Sequence, residues 1–423
     1  MSKSERLKLL TLIVLIGFGS SVCIHYCRAG YGNLPYPATT WLCKPHDRFD
    51  AFAGGTENHY FGDFYVTWAQ SHDPNPYRPS SVVVPSNYFP FTHILFKPLA
   101  AIPYNAALPL FLIGTLVGIS AYLAWTLRVD DRLDNLKNVF VLCVMSYPVQ
   151  MVVDRGNIEG LLFLLIAAFV ACMQRGKVGW SVVALSCAAA MKLYPGLFAL
   201  MYLARRQYQA FAGCCVLTLL LSVSSLAVFD GGIVANARDM LGVLRTCDAS
   251  ADTGTHVVQH GSSFHGMLRS CGFLLGAREE PIAVFNRLNL LFSLATLGLL
   301  LAAHLRCRLK SWESCALITF AIVLVPKVSF DYKLVLLYLP LALFMNSYLP
   351  RRAALLYTLG FALMLVPKGF MCVRDDVSIG CIIGPLVMIA MACAILVSAY
   401  WPSRAAQAID REALPNALAT SAR

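Results

Sequence analysis

Charge is scarce in this chain. Asp, Glu, Lys and Arg make up only 13% of 423 residues, against 58% hydrophobic residues and a mean hydropathy of +0.62. A water-exposed surface of this size needs more polar side chains than that, so an ordinary soluble globule is excluded. Neither a G-x-x-x-x-G-K-[ST] loop nor a clear D-x-D is present, which argues against a nucleotide-bound substrate. The 15 cysteines contain no C-x-x-C pair, so no zinc or redox motif is indicated. Most of them, such as Cys143, Cys187, Cys214 and Cys215, stand inside apolar runs as small hydrophobes. Cys43, Cys247, Cys271 and Cys372 fall in polar segments and leave a disulfide among them open. The net charge of +11 comes without a basic stripe interleaved with aromatics, so nucleic acid is not expected as a partner. There is no internal repeat of fixed period. The basic-then-apolar start, MSKSERLKLLTLIVLIGFGSSVC, lacks an A-x-A cleavage site and is expected to stay as a first helix.

What is plentiful is apolar sequence. Runs over roughly 8–27, 104–127, 138–153, 158–173, 180–192, 196–204, 210–229, 284–305, 314–326, 334–349, 353–367 and 379–401 predict about twelve membrane crossings. The breaks at DRGN and KLYP divide 138–173 and 180–204 into short crossings. The expectation is therefore an all-α polytopic membrane protein with one integral-membrane domain over 1–405. A short, Ala-rich, disordered cytoplasmic tail would follow over 406–423. With the N-terminus in the cytoplasm, roughly eighteen cations fall in cytoplasmic segments and about six in short external turns. This orientation puts both termini inside the cell (inner) membrane and both long loops, 28–103 and 230–283, outside.

The short external turns place charge beside helix breaks: VVDRGNIEG, MKLYPG, VPKVSFDYK and VPKGF. An ionisable residue at membrane depth is costly and marks function by default, and Pro or Gly beside it fits a helix end that lines a cavity. Arg155, Lys192, Lys327, Lys333 and Lys368 are such residues, although a lone lysine can simply snorkel. In the first external loop, GDFYVTWAQ predicts a short helix opened by Asp63, whose plain role would be a first-turn carboxylate. DPNPYRP must be turn or extended chain. FTHILFKPLAAIP is too short to cross and amphipathic enough to lie on the membrane surface. In the second loop, ARDMLGVLRTCD predicts a short amphipathic helix and the Gly/Ser/Thr-rich stretch after it a mobile loop.

Taken together, the acidic helix start before N-P-Y, the KPLAAIP segment and the long block from RGNIEG through KLYPG resemble a known family. The same holds for the late external turn with its Pro-x-x-Ser-aromatic pattern. The chain is similar to the polyprenyl-phosphate-sugar-dependent glycosyltransferases of the GT-C superfamily, and within it to glycosyltransferase family 87, mostly mannosyltransferases. The resemblance covers roughly 55–340 and implies a GT-C-type fold. It implies Asp63 as the catalytic base and makes Lys192 the family's KLYP lysine. Several of these mannosyltransferases carry a histidine pair after Ser-Trp in the turn before the tenth span. Tyr332 and Lys333 stand there in this chain, and His260 and His265 are alternative external imidazoles.

The chemistry such an enzyme needs can be laid on these residues. One base removes a proton from the acceptor hydroxyl as it attacks the anomeric carbon, and inversion follows. Asp63 is the candidate, with Phe61, Phe64 and Tyr65 expected to raise its pKa by desolvation. Asp47, Asp50 and Glu57 are rival carboxylates, and Asp73 before Pro74 reads as turn chemistry. Arg155, Lys192, Lys327 and Lys333 would bind the departing phosphate, although Arg155 could instead pair with Asp154. Tyr65, Asn157, Glu57, His260 and His265 are further candidate substrate contacts. No metal or other cofactor is expected, since the donor is a lipid-linked sugar and not a nucleotide sugar. The expected partners are that donor, membrane lipid, and a glycolipid, polysaccharide or other glycan acceptor. The alternative is a multi-pass transporter or flippase, which would place its charges near the midplane in matching halves.

Overall fold

The computed structural model describes residues 1–31, 61–79, 84–253, 256–276, 282–367, 372–374 and 377–401. Asp47, Asp50, Glu57, Lys368, Cys43 and the tail over 406–423 lie outside the described residues. Cys271 carries a free thiol.

The protein is an all-helical bundle with one small β-ribbon, Cys372–Arg374 against Val377–Ser378. It opens with α1 (Lys3–Tyr31), α2 (Gly62–Gln70), α3 (Pro90–Ala100) and α4 (Tyr104–Thr126). Next come α5 (Arg132–Phe140), α6 (Tyr147–Arg155), α7 (Glu159–Gln174), α8 (Val178–Met191), α9 (Leu200–Ala204) and α10 (Tyr208–Val228). The second half holds α11 (Gly232–Thr253), α12 (His256–His260), α13 (Phe264–Leu274), α14 (Ile282–Arg306) and α15 (Ser311–Leu324). It closes with α16 (Tyr338–Met345), α17 (Arg351–Leu365) and α18 (Gly380–Tyr400). Each of the twelve apolar runs read from sequence coincides with a helical segment. Five helices (α1, α4, α10, α14 and α18) are long and apolar enough to cross a membrane, or six spans if the bent α5–α6 pair is one. Shorter ones such as α7 and α8, at 16 and 14 residues, rise only ~21–24 Å against a hydrocarbon core of ~30 Å.

The run over 138–153 is not one straight helix. A π turn over Val141–Met145 and a 52° bend interrupt it at Ser146. Pro148, in the first turn of α6, has no N–H to continue the ladder, and Ser146 is extended. Tight approaches then seat α7. A Cβ on Gly160 would lie 2.3 Å from Thr115 Cγ2 of α4.

Both long loops come to one end of the bundle. Asn75, of N-P-Y, donates to Asp230 O (3.0 Å) and to Asn236 Oδ1 (2.8 Å), tying the first loop to the start of α11. Its own Oδ1 accepts from Tyr77 N, an Asx turn that fixes the motif. The stretch expected as a mobile loop is largely helical, because α11 runs on to Thr253 and α12 and α13 follow. Backbone pairing holds it in place: Ser262 N donates to Ser329 O (2.7 Å), and Gly261 bridges Phe330. The opposite end gathers cations. There Arg6 donates to Phe344 O, Met345 O and Ser347 O at 2.9–3.0 Å and closes the C-terminus of α16.

Candidate active site

The turn after α6 is built by its residue types. Gly156 ends α6 in the left-handed region (φ +58°), which favours glycine, and a Cβ there would meet Phe64 Cβ at 2.7 Å. That close approach lets α2 lie against the turn, where Phe61 N donates to Asp154 O (2.7 Å). Phe64 is sealed among Phe96, Tyr104 and Phe111, with ring centroids at 5.0–6.1 Å, and anchors α2 from below. Asn157 then does two things. Its Oδ1 accepts from Glu159 N (2.9 Å) to start α7, and its Nδ2 donates to Asp63 Oδ2 (2.6 Å).

Arg155 turns to Asp63, not to Asp154. Its Nη2 donates to Oδ1 at 3.2 Å and its Nε to Oδ2 at 3.4 Å, with both side chains about one-fifth exposed. Burial among aromatics works against the charge on Asp63. Arg155, Asn157 and Lys192 outweigh it and hold the carboxyl below its ordinary range. The expected upward shift is thus reversed, because the aromatics come with a cation and an amide donor aimed at the same oxygens.

Lys192 follows the break after α8, where the chain turns extended (φ −147°, ψ 139°). Phe89 N and Thr92 Oγ1 satisfy the last carbonyl of α8, Met191 O. The ammonium lies 2.7 Å from Glu159 Oε1 and 4.7 Å from the centre of the Tyr88 ring. Tyr194 donates to the other oxygen of Glu159, and Lys333 Nζ sits 5.0 Å from the Tyr194 ring centre. Glu159 is 0% exposed. It was missed as a site residue, although the signal was there: a lone carboxylate opening an apolar run, one residue past the Asn-Ile of RGNIEG.

Asp63, Arg155, Lys192, Lys327 and Lys333 line a single cavity of about 1840 Å³. Lys327 spends its charge on α11, 3.1 Å from Asp248 and 3.5 Å from Asp252. Down from this polar head the wall becomes apolar. Phe211, Cys214, Cys215, Thr218, Leu219 and Ser222 line it from α10 at helical spacing, faced by Leu297 of α14 and by Ala321, Ile322 and Val325. The remaining predicted contacts stand elsewhere. Tyr65 packs on Trp68 and Tyr104 (6.4 and 5.6 Å), His260 ends α12, and His265 is buried 3.7 Å from Asp252. None of these three is on the cavity wall.

A carboxylate facing cations, at the head of a cavity that continues between apolar helices, fits a membrane-embedded transferase. The chain belongs to glycosyltransferase family 87, whose sequence pattern matches residues 87–330, more than half of its length. It is therefore a membrane glycosyltransferase, with a sugar donor and a glycan or lipid acceptor, and the transporter reading is set aside. The match includes Arg155, Asn157, Glu159, Lys192 and Lys327, while Asp63 and Lys333 fall outside it. No curated protein and no solved structure matches the chain at a significant level.

Proposed function

We propose that the protein moves a hexose, mannose as the first choice, from a polyprenyl-phosphate donor to an acceptor hydroxyl with inversion, at the external face of the cell membrane. One observation carries this reading: the polar head and the apolar face of α10 belong to the same cavity. From Phe211 to Ser222 that face runs ~16 Å along a membrane-spanning helix. A nucleotide sugar has no use for such a wall, whereas an isoprenoid chain does.

The chemistry then follows from the residues. Asp63 takes the proton of the acceptor hydroxyl as its oxygen attacks the anomeric carbon. The bond from that carbon to the phosphate oxygen breaks, and the phosphate leaves with the electron pair. Arg155, Lys192 and Lys333 stand where they can meet the developing negative charge. Lys327, paired with Asp248 and Asp252, has a different part: it holds α11 over the cavity.

The test is transfer from polyprenyl-phosphate mannose by protein in nanodiscs. Asp63→Asn is expected to insert and fold yet lose transfer by about 10²–10⁴-fold. Wild-type turnover in that variant would remove Asp63 from the base role. Turnover is also expected to persist in the presence of a chelator, and loss restored by magnesium or manganese would overturn a metal-free mechanism.

A further inference from the structure

The phosphate-facing cations are not idle in the empty cavity. Arg155 is paired to Asp63 and Lys192 to Glu159, so a phosphate that enters competes with carboxylates already in place. The two pairs differ in how readily they yield. Glu159 is fully buried and also accepts from Tyr194, so releasing Lys192 would strand a carboxylate with no access to water. Asp63 and Arg155 each keep about one-fifth of their side-chain surface and both line the cavity. The two Asp63 oxygens differ as well. Oδ2 keeps the 2.6 Å bond from Asn157 whatever Arg155 does, whereas among the described residues Oδ1 accepts a hydrogen bond only from Arg155.

We propose that Arg155 is shared between Asp63 and the donor phosphate. Arrival of the phosphate draws the guanidinium away, Asn157 keeps the carboxylate aimed, and Oδ1 becomes free to accept the acceptor hydroxyl. Until the phosphate arrives, the base is masked by the group that then binds it. This rests on the polyprenyl-phosphate reading given above.

The experiment measures binding of sugar-free undecaprenyl phosphate to protein in nanodiscs. Wild type, Asp63→Asn, Asp63→Ala, Arg155→Gln and the Asp63→Asn/Arg155→Gln double variant are compared, each checked for folding by thermal melting. Removing the competing carboxylate is expected to tighten binding about tenfold in both Asp63 variants, the scale of one charge-assisted hydrogen bond that the phosphate no longer has to displace. In the Arg155→Gln background the same change is expected to have a much smaller effect, only the like-charge repulsion between Asp63 and the phosphate being left, because the shared cation is gone. Unchanged or weaker binding by both Asp63 variants overturns the inference and leaves the polyprenyl-phosphate reading standing. So does tightening of the same size without Arg155. Absence of binding by every folded protein overturns that reading, and the inference with it.

Discussion

Two turns of this protein look alike in sequence and end up with different work. DRGN after α6 and PKVSFDYK after α15 each set a cation beside a helix break, and each cation finds a carboxylate from a long loop. Arg155 meets Asp63 inside the cavity head, with both groups about one-fifth exposed and an amide donor added. Lys327 meets two carboxylates of α11, Asp248, which is 61% exposed, and Asp252, which is 22% exposed. The lesson is that a charge at a helix break acquires its role from where its partner sits. A pair with an amide-held carboxylate at the cavity head can be used for chemistry, while a pair with the side of α11 ties that helix to the turn.

The widest separation between the two turns is expected in turnover. Arg155→Ala should lower sugar transfer about 10³-fold, as loss of a donor to a developing anion does. Lys327→Ala should lower it less than about tenfold, because its ion pairs run to α11 and not to Asp63. Initial rates at saturating donor check both, and equal losses would erase the distinction drawn between the turns.

A second contrast sets the Lys192–Glu159 pair of the cavity wall against both turns. Glu159→Gln leaves Lys192, 14% exposed, without its counter-ion and should cost about 3 kcal/mol of stability. Asp248→Asn should cost under ~1 kcal/mol. Thermal unfolding in detergent ranks them, and a Glu159→Gln protein as stable as wild type would mean that Lys192 finds another partner.

The smallest effect concerns pH. Folding lowers the Asp63 pKa, so its stabilising contribution is complete above the ordinary carboxyl value of ~3.9 and vanishes as pH falls through the lowered one. Asp63→Asn should therefore melt below wild type at neutral pH. The gap should stay constant through mild acid and close only below pH ~3.9. A gap that closes near pH 6 would point to a raised pKa instead.

Much of this architecture was legible without coordinates. Apolar runs marked the helices because a lipid environment forces backbone groups to bond within each segment. Charges at Pro and Gly breaks marked the cavity head, and Asp63, Arg155, Lys192 and Lys333 do line it. The partners were not legible. Asp63 and Arg155 are 92 positions apart, and Lys192 and Glu159 are 33 apart. Nothing local in either segment says which carboxylate answers which cation. Glu159 went unnoticed for that reason, and so did the carboxylates of α11 that meet Lys327.

Composition and spacing by themselves determined that this chain lives in a membrane, where its apolar helical segments lie, and which turns carry unusual charge. Those are consequences of solvent preference and backbone geometry, which act within a few residues. Only the tertiary structure decided which ion pairs form, how deep each lies, and that a polar head and an apolar wall share one cavity. Coulomb energy and burial depend on distances in space, and packing sets those distances between segments far apart in the chain.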